Sequence, residues 1–300
     1  MKHFFSLFIL FIATLVFPTH AKAYLINEWA EIATITPDEF DIKSDVPTKI
    51  WRDSFSGMEF VHVKGGCFKM GSPPRADGRD SDEQPVHNVC LSDFWVGQKE
   101  VTQAQWRTVM RSNPSKFRKG DNHPVERVSH PDAIRLVNRL NEQHKGKAVF
   151  SLPTEAQWEY VCREGGLRSI YPGREGINKI AWQRENSGDS TQVTGTKLPN
   201  LLGVHDLGGN VWEWVQDTYE WYGYSKHKTN NPVFKGKGLY RGIRGGSWND
   251  GSNALRCTNR GFTKFSDKRE DVGVRLVVFV KQPPKEERRE EESSIDVLPF

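Results

Sequence analysis

The chain has 300 residues, with 42 Lys and Arg against 38 Asp and Glu and a formal net charge of +4. Without residues 1–23, which carry Lys2 and Lys22, the balance is nearly even. That excludes a nucleic-acid binder, which needs a basic stripe to offset phosphate charge, and the remaining length suffices for one large domain or two small ones.

Residues 1–23 read as a secretory signal. Lys2 and His3 precede an apolar run from Phe4 to Phe17, and Ala21-Lys22-Ala23 fits a small-x-small cleavage site. The run is short for a bilayer span of about 20 residues. Export is therefore expected, periplasmic or secreted, with no stable membrane anchor after cleavage. Residues 24–56 mix Ile, Thr, Asp and Pro without a sustained period and read as an N-terminal arm or linker. Phe60, Val61 and Val63, then Cys67, Phe68 and Met70, give strand-like runs ending at Gly71-Ser72. Residues 73–85, rich in Pro, Asp, Arg and Gly, read as a mobile loop. Val89, Leu91, Phe94 and Val96 read as the next strand.

Three helices carry start signals. Thr102 and Gln105 form a capping box before Trp106 and Val109-Met110. Ser129 precedes Pro131-Asp132, after which Ala133, Ile134, Val137 and Leu140 recur at helical spacing. Thr154 and Gln157 repeat the capping box before Trp158, Val161 and Cys162, and Gly165-Gly166 supplies the stop. Beyond 166 no amphipathic helix is predicted. Val272 to Val280 reads as a final strand. Residues 281–300, with Pro283-Pro284 and the charged run Glu286–Glu292, read as a disordered tail.

The four cysteines are Cys67, Cys90, Cys162 and Cys257. In an exported chain an even number favours disulfides, with three pairings open. Pairing Cys67 with Cys90 would join neighbouring strand-like runs and leave Cys162 with Cys257. None sits in a CxxC or His-rich spacing, which argues against a structural zinc site. His62, His87, His123, His130, His144, His205 and His227 form no HxH or HxxxH cluster.

The most telling segments are Gly-Gly-Asn-Val-Trp-Glu-Trp at 208–214 and Arg-Gly-Gly-Ser-Trp at 244–248. Glycines flanking tryptophan, carboxylate and amide make poor helix or strand interiors and suit ordered loops that pack closely. They stand in an ordered series with Phe-Lys-Met-Gly-Ser (68–72), Glu-Val-Thr-Gln-Ala-Gln-Trp (100–106), Pro-Val-Glu-Arg-Val-Ser (124–129), Leu-Pro-Thr-Glu-Ala-Gln-Trp-Glu-Tyr (152–160) and Gly-Val-Arg-Leu (273–276). Over residues 57–280 the chain resembles the formylglycine-generating enzyme family, the sulfatase-modifying factor domain. The resemblance implies a single mixed α/β domain with little regular secondary structure, similar to the C-type-lectin-like fold. It also implies a Cys162–Cys257 disulfide. The iron-dependent sulfoxide-synthase branch has an extra helical domain that residues 24–56 would not hold.

In competent members a closely spaced cysteine pair after Gly-Gly-Ser binds copper and uses dioxygen to oxidise a substrate cysteine. Here Asp250 occupies the place of the first thiolate and no cysteine stands where the second would. Cys257 matches the disulfide position instead. Asp and Asn are hard oxygen donors and poor partners for Cu(I), so copper-dependent formylglycine synthesis is not expected. The resemblance further implies a calcium site from Asp206, Glu213 and the carbonyls of Gly209 and Val211, hard oxygen ligands from one tight loop. Against it stands a Glu213 that only bonds backbone N–H groups. Asn186 is a weaker candidate for a second calcium.

Trp212, Ser247, Trp248, Asp250 and Arg256 are the groove candidates; Trp214 reads as core. Arg244, Arg256, Arg260 and Arg275 would clasp an anionic ligand or form buried ion pairs. The expected partner is a peptide or peptide-derived small molecule, bound in envelope maturation; the sequence leaves the oligomeric state open. The alternatives are a non-catalytic binding module, suited by Asn249, Asp250, Asn253 and Asn259, and an oxidase using other residues.

Overall fold

The computed structural model describes residues 49–280. The signal, most of the arm and the charged tail lie outside the described residues. Among those described, no helix is long and apolar enough to cross a membrane.

Three sheets hold the domain together. The largest contains β1 (Ile50–Arg52), β2 (Glu59–Val63), β5 (Phe94–Gly97), β6 (Ala148–Ser151) and β11 (Val277–Val280), in the order β1-β2-β5-β11-β6. Every pairing in it is antiparallel. Both faces are covered: Phe60, Phe150 and Val278 point into one apolar cluster, and Val61, Val96 and Val277 into another. Burial on both faces explains why these strands read as near-continuous apolar runs rather than clean alternation. β1 extends the domain into the stretch read as an arm, with Trp51 opposite Phe60.

A second sheet has the order β10-β7-β8-β9, built from β7 (Trp212–Thr218), β8 (Tyr240–Arg244), β9 (Gly261–Lys264) and β10 (Val272–Gly273). Its β10 runs parallel to β7. The expected single strand over 272–280 is therefore two strands in two sheets. Between them the Arg275 side chain dives into the core and the chain changes partner. β3 (Cys67–Met70) and β4 (His87–Cys90) make the third sheet, with Cys67 opposite Cys90. The run read as one strand over 89–96 breaks at Leu91–Asp93, where Asp93 accepts the Gly65 N–H and Leu91 N–H bonds Gly66. That corner sends β4 to β3 and β5 to β2.

The helices start where the capping boxes place them: α1 (Gln103–Met110) after Thr102, α2 (His130–His144) after Ser129 and α3 (Glu155–Cys162) after Thr154. Only a single turn, α4 (Ile177–Ile180), follows before β7. Leu136 and Leu140 of α2 lie in the first apolar cluster. Every residue of α3 is buried, its two glutamates in ion pairs. Gly166 then allows a left-handed step where a Cβ would strike Phe68. Both disulfides form, Cys67–Cys90 and Cys162–Cys257.

The loop expected to be mobile is tied down. Its 3-10 turn Ser81–Glu83 buries Asp82 and Glu83; Glu83 takes two hydrogen bonds from Arg256, and the Asp82 carbonyl accepts Arg260. Composition showed the loop's polarity, but its buried partners lie about 170 positions away in the chain.

Candidate binding groove

The two glycine-rich motifs are zipped together by backbone bonds. Gly209 N–H donates to the Gly245 carbonyl, Trp248 N–H to Asn210, and Asn210 N–H to Trp182. A Cβ at Gly209 would stand 1.9 Å from the Trp182 carbonyl oxygen, which fixes glycine there. Asn210 donates to Glu100 at 2.6 Å and accepts the Gln192 N–H at 2.9 Å. Beneath this crossing, burial and then repulsion from Asp206 and Glu213 push Glu100 well above the usual carboxylate range.

Above it, Ser247 Oγ donates to Asp250 Oδ2 at 2.5 Å and Trp212 Nε1 to the same oxygen at 2.9 Å. Ser247 is fully buried and Trp212 nearly so. They hold Asp250 from below and do not face a ligand; a buried hydroxyl is no nucleophile for an entering substrate. Trp248 and Asn249 reach a shallow groove of about 630 Å³, whose other walls are Lys116, Arg127, Lys268, Arg269, Glu270 and Asp271. Trp248 Nε1 bonds the Glu270 carbonyl, and the indole meets Phe117 edge-on at 5.3 Å. Lys116 pairs with Glu270 at 2.5 Å and Arg269 with Asp271 at 2.5 Å. Hydrogen bonds to Asp271, with smaller help from the Asp250 charge, push Arg269 upward. Arg127 makes no ion pair among the described residues, so the groove keeps a positive bias.

Arg256 is not in this groove. It lies across the Ser252–Leu255 turn, on Glu83, and lines a separate apolar cavity with Ile170 and Arg163. The other arginines also form buried pairs: Arg244 with Glu159, Arg260 with Glu155 and Arg275 with Glu213. Trp214 is core, its Nε1 on the Val128 carbonyl.

Glu213 does not fit the calcium set read from the sequence. Both its oxygens accept from Arg275, and Trp158 Nε1 adds a bond at 2.7 Å. Burial alone would lower Arg275, but the Glu213 charge and hydrogen bonds outweigh it and push the guanidinium up. The cation at this carboxylate is an arginine. Asp206 accepts the Gly195 N–H through one oxygen, while the other is buried without a partner. Asn186 is spent on a turn, accepting Gln183 N–H and donating to the Ala181 carbonyl. Nor do the residues fit copper: all four cysteines are in disulfides, and the position nearest the groove offers an oxygen.

The sulfatase-modifying factor enzyme 1-like domain matches residues 48–280. The chain belongs to this family. It is 30% identical over 270 residues to the chaperone protein LppX of Paenibacillus barcinonensis, covering 73% of this chain and 89% of that protein. It is 29% identical to the mouse formylglycine-generating enzyme, covering 60% of this chain and 50% of that protein. It is also 30% identical to the serine/threonine-protein kinase Pkn1 of Chlamydia trachomatis, but covers 35% of that length. Among solved structures PvdO from Pseudomonas aeruginosa shares the fold, with TM-score 0.69 and 24% identity over 77% of this chain and 98% of PvdO.

The groove's basic and acidic walls are not among the candidates that the motifs supply. A local signal exists, since Lys268-Arg269-Glu270-Asp271 ends one residue before the final family motif. Nothing local, however, places Lys116 and Arg127 opposite it.

Proposed function

We propose that this is an exported accessory protein that binds an extended peptide, or a small molecule made from one, in the groove over Trp248 and Asn249, beside Asp250. It works without thiolate-copper oxidation. The observation that carries this reading is Asp250, clamped by Ser247 and Trp212 at the place where resembling enzymes keep a thiolate. An aromatic floor beside paired charges suits a backbone with polar side chains: Trp248 gives apolar area, and Arg127 receives a carboxylate. The name of the Paenibacillus relative, a chaperone matched over most of its length, supports a role in maturing another protein. Two disulfides support an oxidising compartment.

The test has two arms. With a cysteine-containing peptide, dioxygen uptake should be absent with and without copper. On a peptide array, wild type should bind a subset that Trp248→Ala binds at least about tenfold more weakly, as for an interface anchor. Copper-dependent uptake, or array binding unchanged in the variant, would remove the reading.

A further inference from the structure

Away from the groove, three titratable side chains converge behind α3 and β7: Glu155, Asp217 and His227. All are out of water, with the His227 side chain 1% exposed.

The histidine's protonation follows from a chain of hydrogen bonds. His87 Nδ1 lies 2.9 Å from the Pro85 carbonyl, which only accepts, so the neutral His87 ring carries its proton there and its Nε2 accepts. That nitrogen is 3.1 Å from His227 Nδ1, which must donate. His227 Nε2 is left with a bare lone pair, buried and without a hydrogen-bond partner. It faces Asp217 Oδ1 at 3.9 Å. Two electron-rich atoms meet across a gap too wide for a shared proton. It suits a shared cation, because donors about 2.0–2.1 Å from a metal lie up to about 4.2 Å apart.

The surroundings orient these donors. Asp217 accepts Phe234 N–H at 2.7 Å and Glu155 N–H at 2.9 Å, one on each oxygen. Arg260 grips both oxygens of Glu155, whose second lone pairs stay available. Arg260 pairs with Glu155, and Glu159 takes both Arg244 and Arg163, so the surrounding charges already balance; the place for an ion is marked by position, since no Lys or Arg pairs directly with Asp217 among the described residues. Metal-bound histidines characteristically donate their other nitrogen to a fixed acceptor, as His227 does to His87.

We infer that Glu155, Asp217 and His227 form a buried structural site for a divalent first-row transition metal, zinc foremost, since one imidazole and two carboxylates suit it. The ion would pin the long β7–β8 connection, through His227, onto α3 and β7.

The test uses the full chain with disulfides intact, dialysed free of metal and titrated with zinc or cobalt(II) alone. Wild type should take up about one zinc per chain, melt at a higher temperature with it, and give a cobalt spectrum of mixed nitrogen and oxygen ligation. His87→Gln, which keeps the ligands but loses the orienting partner, should weaken zinc by roughly 10- to 100-fold. His227→Gln should weaken it further, and His62→Gln, at a surface His–Asp93 pair, should leave it unchanged. Crystals of wild type at the zinc edge should place the ion at Asp217 even if the His227 variant fails to fold. No uptake by wild type, an ion located elsewhere, or uptake insensitive to both His87 and His227 overturns the inference.

Discussion

Glu126 shows how far a single side chain can depart from what its neighbours in sequence suggest. It is fully buried near the groove; one oxygen accepts Phe117 N–H at 2.8 Å and the other has no partner. Burial pushes its carboxyl from 4.5 up to about 7, with Arg127 and Glu270 the charged groups facing it. Between those pH values the folded chain holds a proton the unfolded chain has released. Its contribution to stability is therefore complete below pH 4.5 and is lost as pH rises through 7. Glu126→Gln should flatten the fall in melting temperature between pH 5 and 8, an effect on the order of 1–2 kcal/mol after allowance for screening. An unchanged slope would mean that the carboxyl is ionised throughout. Asp250 was legible in the sequence because a motif fixed its place. Glu126 lies inside a motif as well, but its environment comes from Ser115, Phe117 and Glu270, which no local pattern assembles.

At the scale of elements, the helix starts were legible because a capping box is a local contract between residues three apart. The strand ends were not. The breaks at 91–93 and 274–276 depend on which sheet each half joins, and that is decided by Gly65, Asp93 and the Glu213–Arg275 pair. Nor did residue spacing bring His227 to Asp217 and Glu155, which meet only once the β7–β8 connection folds back. The disulfides divide along the same line. Cys67–Cys90 closes a separation of 23 residues within one hairpin; Cys162–Cys257 closes 95 and joins α3 to the stretch after the second glycine motif. Loop-closure entropy ranks their loss at about 3.4 and about 4.7 kcal/mol. In denaturant titrations the Cys162→Ala/Cys257→Ala pair should thus be the more damaging. The opposite order would show that strain or residual structure outweighs chain entropy.

For the whole molecule, the lectin-like α/β architecture was legible from the order of its motifs, whereas the source of its internal charge balance was not. The core holds its carboxylates largely by arginines, and Arg275 stands at Glu213 where calcium was expected. Calcium added to metal-free protein should accordingly leave the melting temperature unchanged; an upward shift would mean that Asp206 and Glu213 open to an ion. One aspect of the topology constrains how this chain comes to be folded at all. β11, the last described strand, lies inside the main sheet between β5 and β6 rather than at its margin. Until residue 280 has emerged from the ribosome, two long-separated strands flank a slot with unsatisfied backbone on both sides. The main sheet therefore cannot close before β11 is made, and a product ending before Val277 would expose a ready template for mispairing with its own copies.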